Sequence, residues 1–250
     1  MKQENNQLPH LSALINRLRI ESSEAGKQTL LDELSVVEGP RILSYLNAHG
    51  FNVAWKSDLI RESFVSSDWL LRDGIGIAIL LAVFRRPSGF NLNGTDIIPE
   101  LLERYRGKRV LMMGSCSPWV EKAAEKASVR HGIQIAGTLD GFRAHSEYLE
   151  MATSHPADLV ILGMGTPKQE PIATLLRENL TGDVLIVNGG GILDFISQKV
   201  VRAPAWTRRI GLEWTVRLIQ DFRRLWRRYL LGNPIFLFRV VVLRCLSRSP

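Results

Sequence analysis

The sequence has little cysteine and no long apolar run. Its two cysteines, Cys116 and Cys245, lie far apart and match no metal-ligand spacing, which predicts a reducing compartment without a disulfide framework. The opening segment MKQENNQLPHL lacks the apolar core of a secretory signal. The longest apolar stretches, Ile75–Phe84 and Ile235–Leu243, fall short of the ~20 residues that cross a bilayer. We therefore expect a cytoplasmic protein that can meet a membrane only at its surface.

Signature motifs of several enzyme classes are also missing. No G-x-G-x-x-G segment with an acidic residue at the ribose offset is present, which argues against a nicotinamide enzyme. No G-x-x-x-x-G-K-[S/T] segment is present, which argues against a P-loop NTPase. The five histidines form no H-x-x-H or H-E-x-x-H group, so we predict no zinc site. We expect neither a metal nor a cofactor.

Positive charge is concentrated at one end of the chain. The net charge is +7, but the segment from Arg202 to Pro250 contains 11 arginines, no lysine and two acids, a net charge of +9. The preceding 201 residues therefore carry −2. A near-neutral body with a basic end predicts that the C-terminal segment meets an anionic partner.

From Arg41 onward, short apolar runs alternate with amphipathic stretches, which is typical of βα units. We predict an α/β fold with a mainly parallel, Rossmann-like sheet flanked by helices and a basic amphipathic helical C-terminal appendage. The predicted division is a helical N-terminal extension (1–40), an α/β core (41–201) and the appendage (202–250). The predicted strands are Arg41–Leu46, Trp69–Leu71, Arg109–Met113, Ile133–Ala136, Asp158–Leu162 and Asp183–Val187. The predicted helices are Gln28–Val37, Asp96–Arg104 with Thr95 as N-cap, a stretch from Ser117 or Pro118 to His131, Ala144–Ser154, Pro167–Asn179 and Leu212–Leu231, with Gly137–Gly141 as a loop.

Polar and glycine residues cluster where the predicted strands end. These clusters are Asn47 with His49, Asp73-Gly74, Gly114-Ser115, Gly163–Gln169 and Asn188–Gly191. In an open parallel sheet this edge is where ligands bind. Glycines let a backbone approach a phosphate, and a helix N-terminus offers free N–H groups. The segment Gly163–Glu170 therefore fits phosphate or sugar binding, although an ordinary tight strand–helix turn explains it equally well.

Asp73 lies where a strand gives way to an apolar helix. A carboxylate at the sheet edge, partly shielded by apolar neighbours, fits a general base. An N-cap that satisfies backbone donors is the competing and commoner explanation. Asp140-Gly141 fits turn chemistry more easily.

The predicted helix Leu212–Leu231 carries leucine, tryptophan and phenylalanine near one face and arginine at its borders. This pattern suits an anionic membrane surface. A solvated arginine face and contact with a nucleic-acid backbone are the alternatives. The apolar run Ile235–Leu243 favours a membrane over nucleic acid, and arginine can also bind a diphosphate bidentately.

An ordered set of motifs closely resembles the WecG/TagA/CpsF glycosyltransferases (glycosyltransferase family 26) of bacterial surface-polysaccharide synthesis. The resemblance covers about residues 40–240. The matching segments are YLNAHGFNVA around Asn47, DGIG from Asp73, NGTD from Asn93, GTLDG from Gly137, G-x-G-x-P-K-Q-E from Gly163, GGG-x-x-D from Gly189, RAP from Arg202, GLEW from Gly211, RL from Arg217 and RRY from Arg227.

This resemblance implies an inverting, metal-independent transferase, cytoplasmic and peripherally bound to the inner face of the membrane. It would move a hexose or N-acetylhexosamine, N-acetylmannosamine or glucose, from a UDP-sugar to a polyprenyl-diphosphate-linked sugar. Asp73 is its candidate base. The implied substrate-binding residues are Asn47, His49, Asn93, Thr95, Asp96, Gly114, Asp140, Gly163, Gly165, Pro167, Gln169, Glu170, Gly189, Gly190 and Asp194. The implied diphosphate- or membrane-binding residues are Arg202, Arg209, Arg217, Arg224, Arg227 and Arg228.

One position departs from the family pattern. Many members carry threonine two residues before the asparagine, and this chain has Tyr45. A hydroxyl is kept on a larger side chain, which leaves its contact and the sugar preference open. We expect no nucleic-acid partner, and a homo-oligomer stays open. The alternative function is a non-catalytic, nucleotide-sugar-binding partner at the membrane surface.

Overall fold

The computed structural model describes residues 11–204, 206–207 and 210–247. Its centre is a seven-stranded, all-parallel sheet with the strand order β1-β3-β2-β7-β6-β4-β5. The strands are β1 (Leu18–Arg19), β2 (Pro40–Leu46), β3 (Trp69–Arg72), β4 (Arg109–Gly114), β5 (Gln134–Leu139), β6 (Leu159–Gly163) and β7 (Val184–Asn188). The prediction of a parallel, Rossmann-like sheet flanked by helices is confirmed.

All six predicted strands are present, with small differences at their ends. The short edge strand β1 was not predicted, and it pairs with β3 through Leu18 and Leu70. The predicted loop from Gly137 is wrong in its first half, because β5 continues to Leu139 after an irregularity in its pairing with β4. This irregularity breaks the alternating pattern on which the strand prediction depended.

Helices cover both faces of the sheet. They are α1 (residues 11–17), α2 (Glu24–Ser35), α3 (Ala48–Lys56), α4 (Asp58–Val65), α5 (Ile75–Val83), α6 (Gly94–Arg104), α7 (Trp119–His131), α8 (His145–Ser154), α9 (Gln169–Asn179), α10 (Ile192–Ile196), α11 (Glu213–Gln220) and α12 (Phe222–Leu246). The predicted N-cap Thr95 is wrong, because Asn93 caps α6 by accepting a hydrogen bond from the Asp96 N–H. Pro167 likewise precedes α9, which begins at Gln169.

Alternation along the strands divides the core between the two faces. On β2, Leu43 and Tyr45 pack with α2, α6, α7 and α10, whereas Ile42 and Leu46 pack on the opposite face. On β4, Val110 and Met112 repeat this division against Leu111 and Met113. Because successive side chains of a strand point to opposite faces, one buried strand supplies both layers.

The predicted single helix Leu212–Leu231 is wrong in its extent. Helix α11 ends at Gln220, Asp221 adopts a non-helical conformation, and α12 then continues to Leu246 through a π-helical turn at Arg227–Leu231. Helix α12 packs Phe236, Val240 and Leu243 into the core cluster that contains residues of α3 and α5.

Among the described residues, helix α12 is the one that bears on whether the chain could cross a membrane. By length and composition alone, this 25-residue helix is long and apolar enough to do so, and 22% of its most apolar window is buried against the protein. The charge at Arg239, which divides the apolar run, is buried and donates hydrogen bonds to Asn52 at 2.8 and 2.9 Å.

Candidate ligand site at the carboxyl edge of the sheet

Asp73 and Asn47 lie side by side where β3 and β2 end. The Asp73 N–H donates to the Leu46 carbonyl at 2.9 Å, which fixes its backbone against the neighbouring strand. Asn47 caps α3 by accepting a hydrogen bond from the Gly50 N–H at 2.9 Å, and its Nδ2 donates to Asp73 Oδ2 at 3.0 Å. Asp73 itself does not cap α5, because Gly74 occupies the N-cap position. The carboxylate is therefore held in one orientation by a side chain that the α3 cap already fixes.

Tyr45 approaches the same corner from β2. Its side chain is buried, and its hydroxyl oxygen has no hydrogen-bond partner among the described residues. Burial and the nearby charge of Asp73 raise the pKa of Tyr45 well above its usual value. The phenol is therefore a neutral group that can both donate and accept a hydrogen bond.

A further set of polar side chains lies at the start of α6. Asn93 is buried, and its Nδ2 donates to Asp96 Oδ2 at 2.7 Å. Asp96 also forms an ion pair with Arg202, the first arginine of the C-terminal appendage. Thr95 lies half-buried in the same turn. The appendage is thus attached to the sheet edge at this point.

Gln169 joins two of the glycine-rich turns. Its Oε1 accepts hydrogen bonds from the Gly165 N–H at 3.1 Å and from the Gly190 N–H at 3.0 Å. Both glycines have positive φ angles, +78° and +61°, with open space where a Cβ would stand. One buried amide therefore fixes the turns after β6 and β7 relative to each other.

We call the hydrogen bonds from Gly165 and Gly190 to Gln169 Oε1 the Gln169 clamp, and Glu170 is buried next to it. Only 1% of the residue is exposed, and its Oε1 accepts hydrogen bonds from Thr166 Oγ1 at 2.6 Å and from Gln169 Nε2 at 3.3 Å. Its Oε2 has no partner among the described residues. Burial raises the pKa of Glu170 above its usual value. This carboxyl supports the turn that contains Thr166 and Pro167.

The strands β4, β6 and β7 come very close at their carboxyl ends. A Cβ on Gly114 would lie 2.4 Å from the Gly163 carbonyl carbon, so only glycine fits there. Gly189 donates its N–H to the Leu162 carbonyl at 2.8 Å. Asp194 receives a hydrogen bond from Ser115 Oγ at 2.6 Å, and it therefore ties the turn after β4 to α10.

Asp140 forms a local turn after β5. Its Oδ1 accepts a hydrogen bond from the Phe142 N–H at 3.0 Å, and its Oδ2 accepts one from Arg143 Nε at 2.7 Å. These contacts agree with the turn chemistry that the Asp140-Gly141 pair predicts.

Two arginines of the appendage reach the sheet edge. The Arg228 charge acts on both His49 and Asp73, and its buried Nε has no hydrogen-bond partner among the described residues. Burial and the Arg228 charge lower the pKa of His49 to about 4, although a hydrogen bond to the Thr166 backbone opposes this shift. Arg217 stacks 5.1 Å over the Phe195 ring, and its Nη2 would lie 2.9 Å from a Cβ on Gly191. Arg217 thus borders the glycine turn after β7, whereas Arg228 lies within electrostatic range of His49 and Asp73.

The other arginines singled out in the sequence make local contacts. Arg224 pairs with Asp221 on an exposed part of the chain. Arg227 is exposed and lies 5.3 Å over the ring of Trp226. Arg209 lies outside the described residues. The structure therefore brings Arg202, Arg217 and Arg228 toward the site, but it leaves Arg224 and Arg227 on the surface.

Glu213 is an acidic residue at the site that the sequence reasoning missed. Burial raises its pKa, and the charges of Arg202, Asp73, Arg217 and Asp96 all act on it. The first turn of α11 thus places a half-buried carboxyl from the appendage close to Asp73. The sequence did single out Glu213 in one respect, because it is one of only two acids in a segment that contains 11 arginines.

The fold and these contacts define an α/β protein with a candidate ligand site at the carboxyl edge of a parallel sheet, bordered by a basic C-terminal segment. The chain belongs to the WecG/TagA/CpsF family of glycosyl transferases, whose family model matches residues 15–249.

Two relatives are named N-acetylglucosaminyldiphosphoundecaprenol N-acetyl-beta-D-mannosaminyltransferase. The protein from Bacillus spizizenii is 31% identical over 169 residues, which cover 66% of this chain and 65% of that relative. The protein from Staphylococcus aureus strain MW2 is 23% identical over 215 residues, which cover 82% of this chain and 78% of that relative. The matched segment therefore spans about 65% of the length of the Bacillus protein.

Proposed function

We propose that the protein is an inverting glycosyltransferase of bacterial surface-polysaccharide or exopolysaccharide synthesis. It transfers a hexose or N-acetylhexosamine, N-acetylmannosamine or glucose, from a UDP-sugar to a sugar carried on a polyprenyl diphosphate. Family membership and the names of the relatives support the reaction class. The observation that carries the proposal is the oriented Asn47–Asp73 pair at the edge of the sheet where ligands bind.

In the proposed mechanism Asp73 is the general base. Asn47 binds Oδ2, which leaves Oδ1 for the proton of the acceptor hydroxyl. As this proton moves to Asp73, the hydroxyl oxygen forms a bond to the anomeric carbon of the donor, and the bond from that carbon to the β-phosphate oxygen breaks. A single displacement of this kind inverts the anomeric centre. A positioned base contributes about 10²- to 10⁴-fold to such a step.

The departing UDP carries developing negative charge away from the anomeric carbon. Arg217 supplies positive charge beside the turn after β7, Arg228 supplies it near Asp73 and His49, and the dipole of α9 adds partial positive charge at its N-terminus. The buried Arg228 Nε gains a partner once a phosphate oxygen binds it. Closure of the appendage through Arg202 and Asp96 would also exclude water, which competes with the acceptor hydroxyl.

The exposed face of α12 supports peripheral attachment to the cytoplasmic side of the membrane. Leu231, Ile235, Phe238 and Val241 are exposed at helical spacing, on the side opposite the packed residues Phe236, Val240 and Leu243. Arginines precede this apolar face along the appendage. Together they would bind an anionic surface and bring the site to the lipid-linked acceptor.

The function is tested with purified protein, labelled UDP-N-acetylmannosamine or UDP-glucose, and a short-chain polyprenyl-diphosphate-linked N-acetylglucosamine. We expect label to move to the lipid with one of these donors and NMR of the product to show an inverted anomeric configuration. Retained configuration would contradict the single displacement. UDP binding without transfer to any of several acceptors would favour the non-catalytic binding partner and contradict the transferase.

A further inference from the structure

The Tyr45 hydroxyl is a buried polar group that forms no hydrogen bond within the described part of the chain. Tyr45 is 8% exposed, and its hydroxyl oxygen has no hydrogen-bond partner among the described residues. Leaving a buried hydroxyl unpaired destabilises the folded chain. Phenylalanine would fill the same space without this cost, so the hydroxyl itself requires an explanation.

On one side, the phenol neighbours the candidate base. Tyr45 lies opposite Leu71 in the pairing of β2 with β3, and Asp73 follows two residues after Leu71. The charge of Asp73 contributes to the raised pKa of Tyr45, which places the carboxylate within electrostatic range of the hydroxyl.

On the other side, the phenol approaches the turn after β7. A Cβ on Gly94 would lie 3.4 Å from Tyr45 Cε2 and 3.3 Å from Ile98 Cδ1. The same Ile98 atom would lie 3.1 Å from a Cβ on Gly189. One side chain therefore separates the Tyr45 ring from the glycine turn that we place beside the UDP phosphates.

For Asp73 to take the acceptor proton, the anomeric carbon of the donor must lie next to the acceptor hydroxyl, so the transferred sugar lies near Asp73 and its neighbour Tyr45. Resting on the proposed function, we propose that the Tyr45 hydroxyl forms a hydrogen bond with a hydroxyl or N-acetyl group of the transferred sugar and so helps to determine which donor is used. A pocket built to hydrogen-bond a sugar group discriminates strongly against donors that cannot form the bond.

The test compares wild type with Tyr45→Phe in the binding of UDP and of UDP-sugars. Isothermal titration with UDP, UDP-N-acetylmannosamine and UDP-glucose separates contacts to the sugar from contacts to the nucleotide. We expect Tyr45→Phe to bind UDP within about twofold of wild type, because the hydroxyl does not contact the nucleotide. We expect its affinity for the preferred UDP-sugar, and kcat/KM with that donor, to fall by about 10- to 100-fold. The thermal midpoint should stay the same or rise, since an unpaired group has been removed.

Tyr105→Phe is the matched control. Tyr105 is also buried, but its hydroxyl donates to the Leu34 carbonyl at 2.9 Å, away from the site. This variant should lose stability and keep its donor affinities. If Tyr45→Phe bound every UDP-sugar with wild-type affinity and used every donor at the wild-type rate, the Tyr45 proposal would be overturned. The transferase assignment would still stand. A wild-type protein that bound neither UDP nor any UDP-sugar would overturn both.

Discussion

At the scale of single residues, the site is defined by groups that the fold orients before any ligand binds. Asn47 caps α3 with its oxygen and holds Asp73 with its nitrogen, so one side chain couples a helix start to the candidate base. Such pre-orientation lets a carboxylate act without reorganising during the reaction. His49 belongs to the same helix start, and its depressed pKa gives a pH signature that can be measured.

His49 should make the protein less stable as the pH falls. Its pKa is about 4 in the folded chain, mainly because of burial, against about 6.5 when unfolded. Between these values the unfolded chain binds more protons, so the free energy of unfolding decreases as the pH falls from about 6.5 to 4. His49→Gln should flatten this part of the profile in urea titrations. His155→Gln, which alters an exposed histidine, is the control, and an unchanged slope in His49→Gln would contradict the buried, neutral imidazole.

At the scale of secondary-structure elements, separate strand ends are joined into one surface by a few side chains. Gln169 reaches across 21 residues to Gly190, and Ser115 reaches Asp194. These contacts lie between turns that come together only when the sheet forms. A nucleotide bound to this surface would contact several turns at once, which suits the absence of any single nucleotide-binding motif.

Removing the Gln169 clamp should weaken nucleotide binding. Gln169→Ala leaves the N–H groups of Gly165 and Gly190 without their acceptor, which costs about 1–3 kcal/mol for each buried group. We expect the Kd for UDP, measured by titration calorimetry, to rise about tenfold, with a lower thermal midpoint. Gln134→Ala, at the exposed first residue of β5, is the control. A normal UDP affinity in a destabilised Gln169→Ala would show that the clamp serves stability alone.

Sequence patterns predicted the sheet better than the site because the two depend on different distances along the chain. Buried runs such as Asp158–Leu162 form parallel strands largely from local composition, and the strand ends then fix which turns share an edge. The N-cap Asn93 instead of Thr95 and the extension of β5 past Gly137 depend on local geometry that composition does not encode.

The appendage shows most clearly where local sequence patterns fail to predict the structure. A regular helix from Leu212 would place Leu218, Ile219 and Phe222 near one face, but the break at Asp221 changes the helical phase. Within α11 only Leu218 of these three is buried; Ile219 is 80% exposed, and Phe222, beyond the break, is 55% exposed. Glu213 and Arg228 likewise come within electrostatic range of Asp73 from more than a hundred residues along the chain, and no local pattern predicts this.

At the scale of the whole molecule, charge and apolar surface are divided between two parts. The body has a net charge of −2 and forms the sheet, whereas the appendage carries +9 and brings three arginines, Arg202, Arg217 and Arg228, to the carboxyl edge of the sheet. We propose that this appendage both completes the site and attaches the protein to the membrane. We also propose that the appendage begins at residue 202, where the sequence becomes rich in arginine.

Charge placed on the exposed face of α12 should release the protein from membranes. Phe238 and Val241 are 69% and 57% exposed, so Phe238→Asp/Val241→Asp leaves the packed face intact. Each buried apolar side chain contributes about 1.5–3 kcal/mol, and we expect binding to phosphatidylglycerol vesicles to weaken at least about tenfold in sedimentation assays. Val129→Asp, on an exposed valine of α7, is the control. Equal binding by the double variant and wild type would point to another attachment surface.

The rate of glycosyl transfer in Asp73→Asn tests the central claim most directly. Asparagine keeps the shape of the side chain but cannot take the acceptor proton. With the donor that wild type uses best, we predict a fall in kcat of about 10²- to 10⁴-fold and a Kd for UDP within about twofold of wild type. Asp183→Asn is the control, because Asp183 accepts a hydrogen bond from the Gly39 N–H at the opposite edge of the sheet. A wild-type kcat in Asp73→Asn would contradict the assignment of Asp73 as the base.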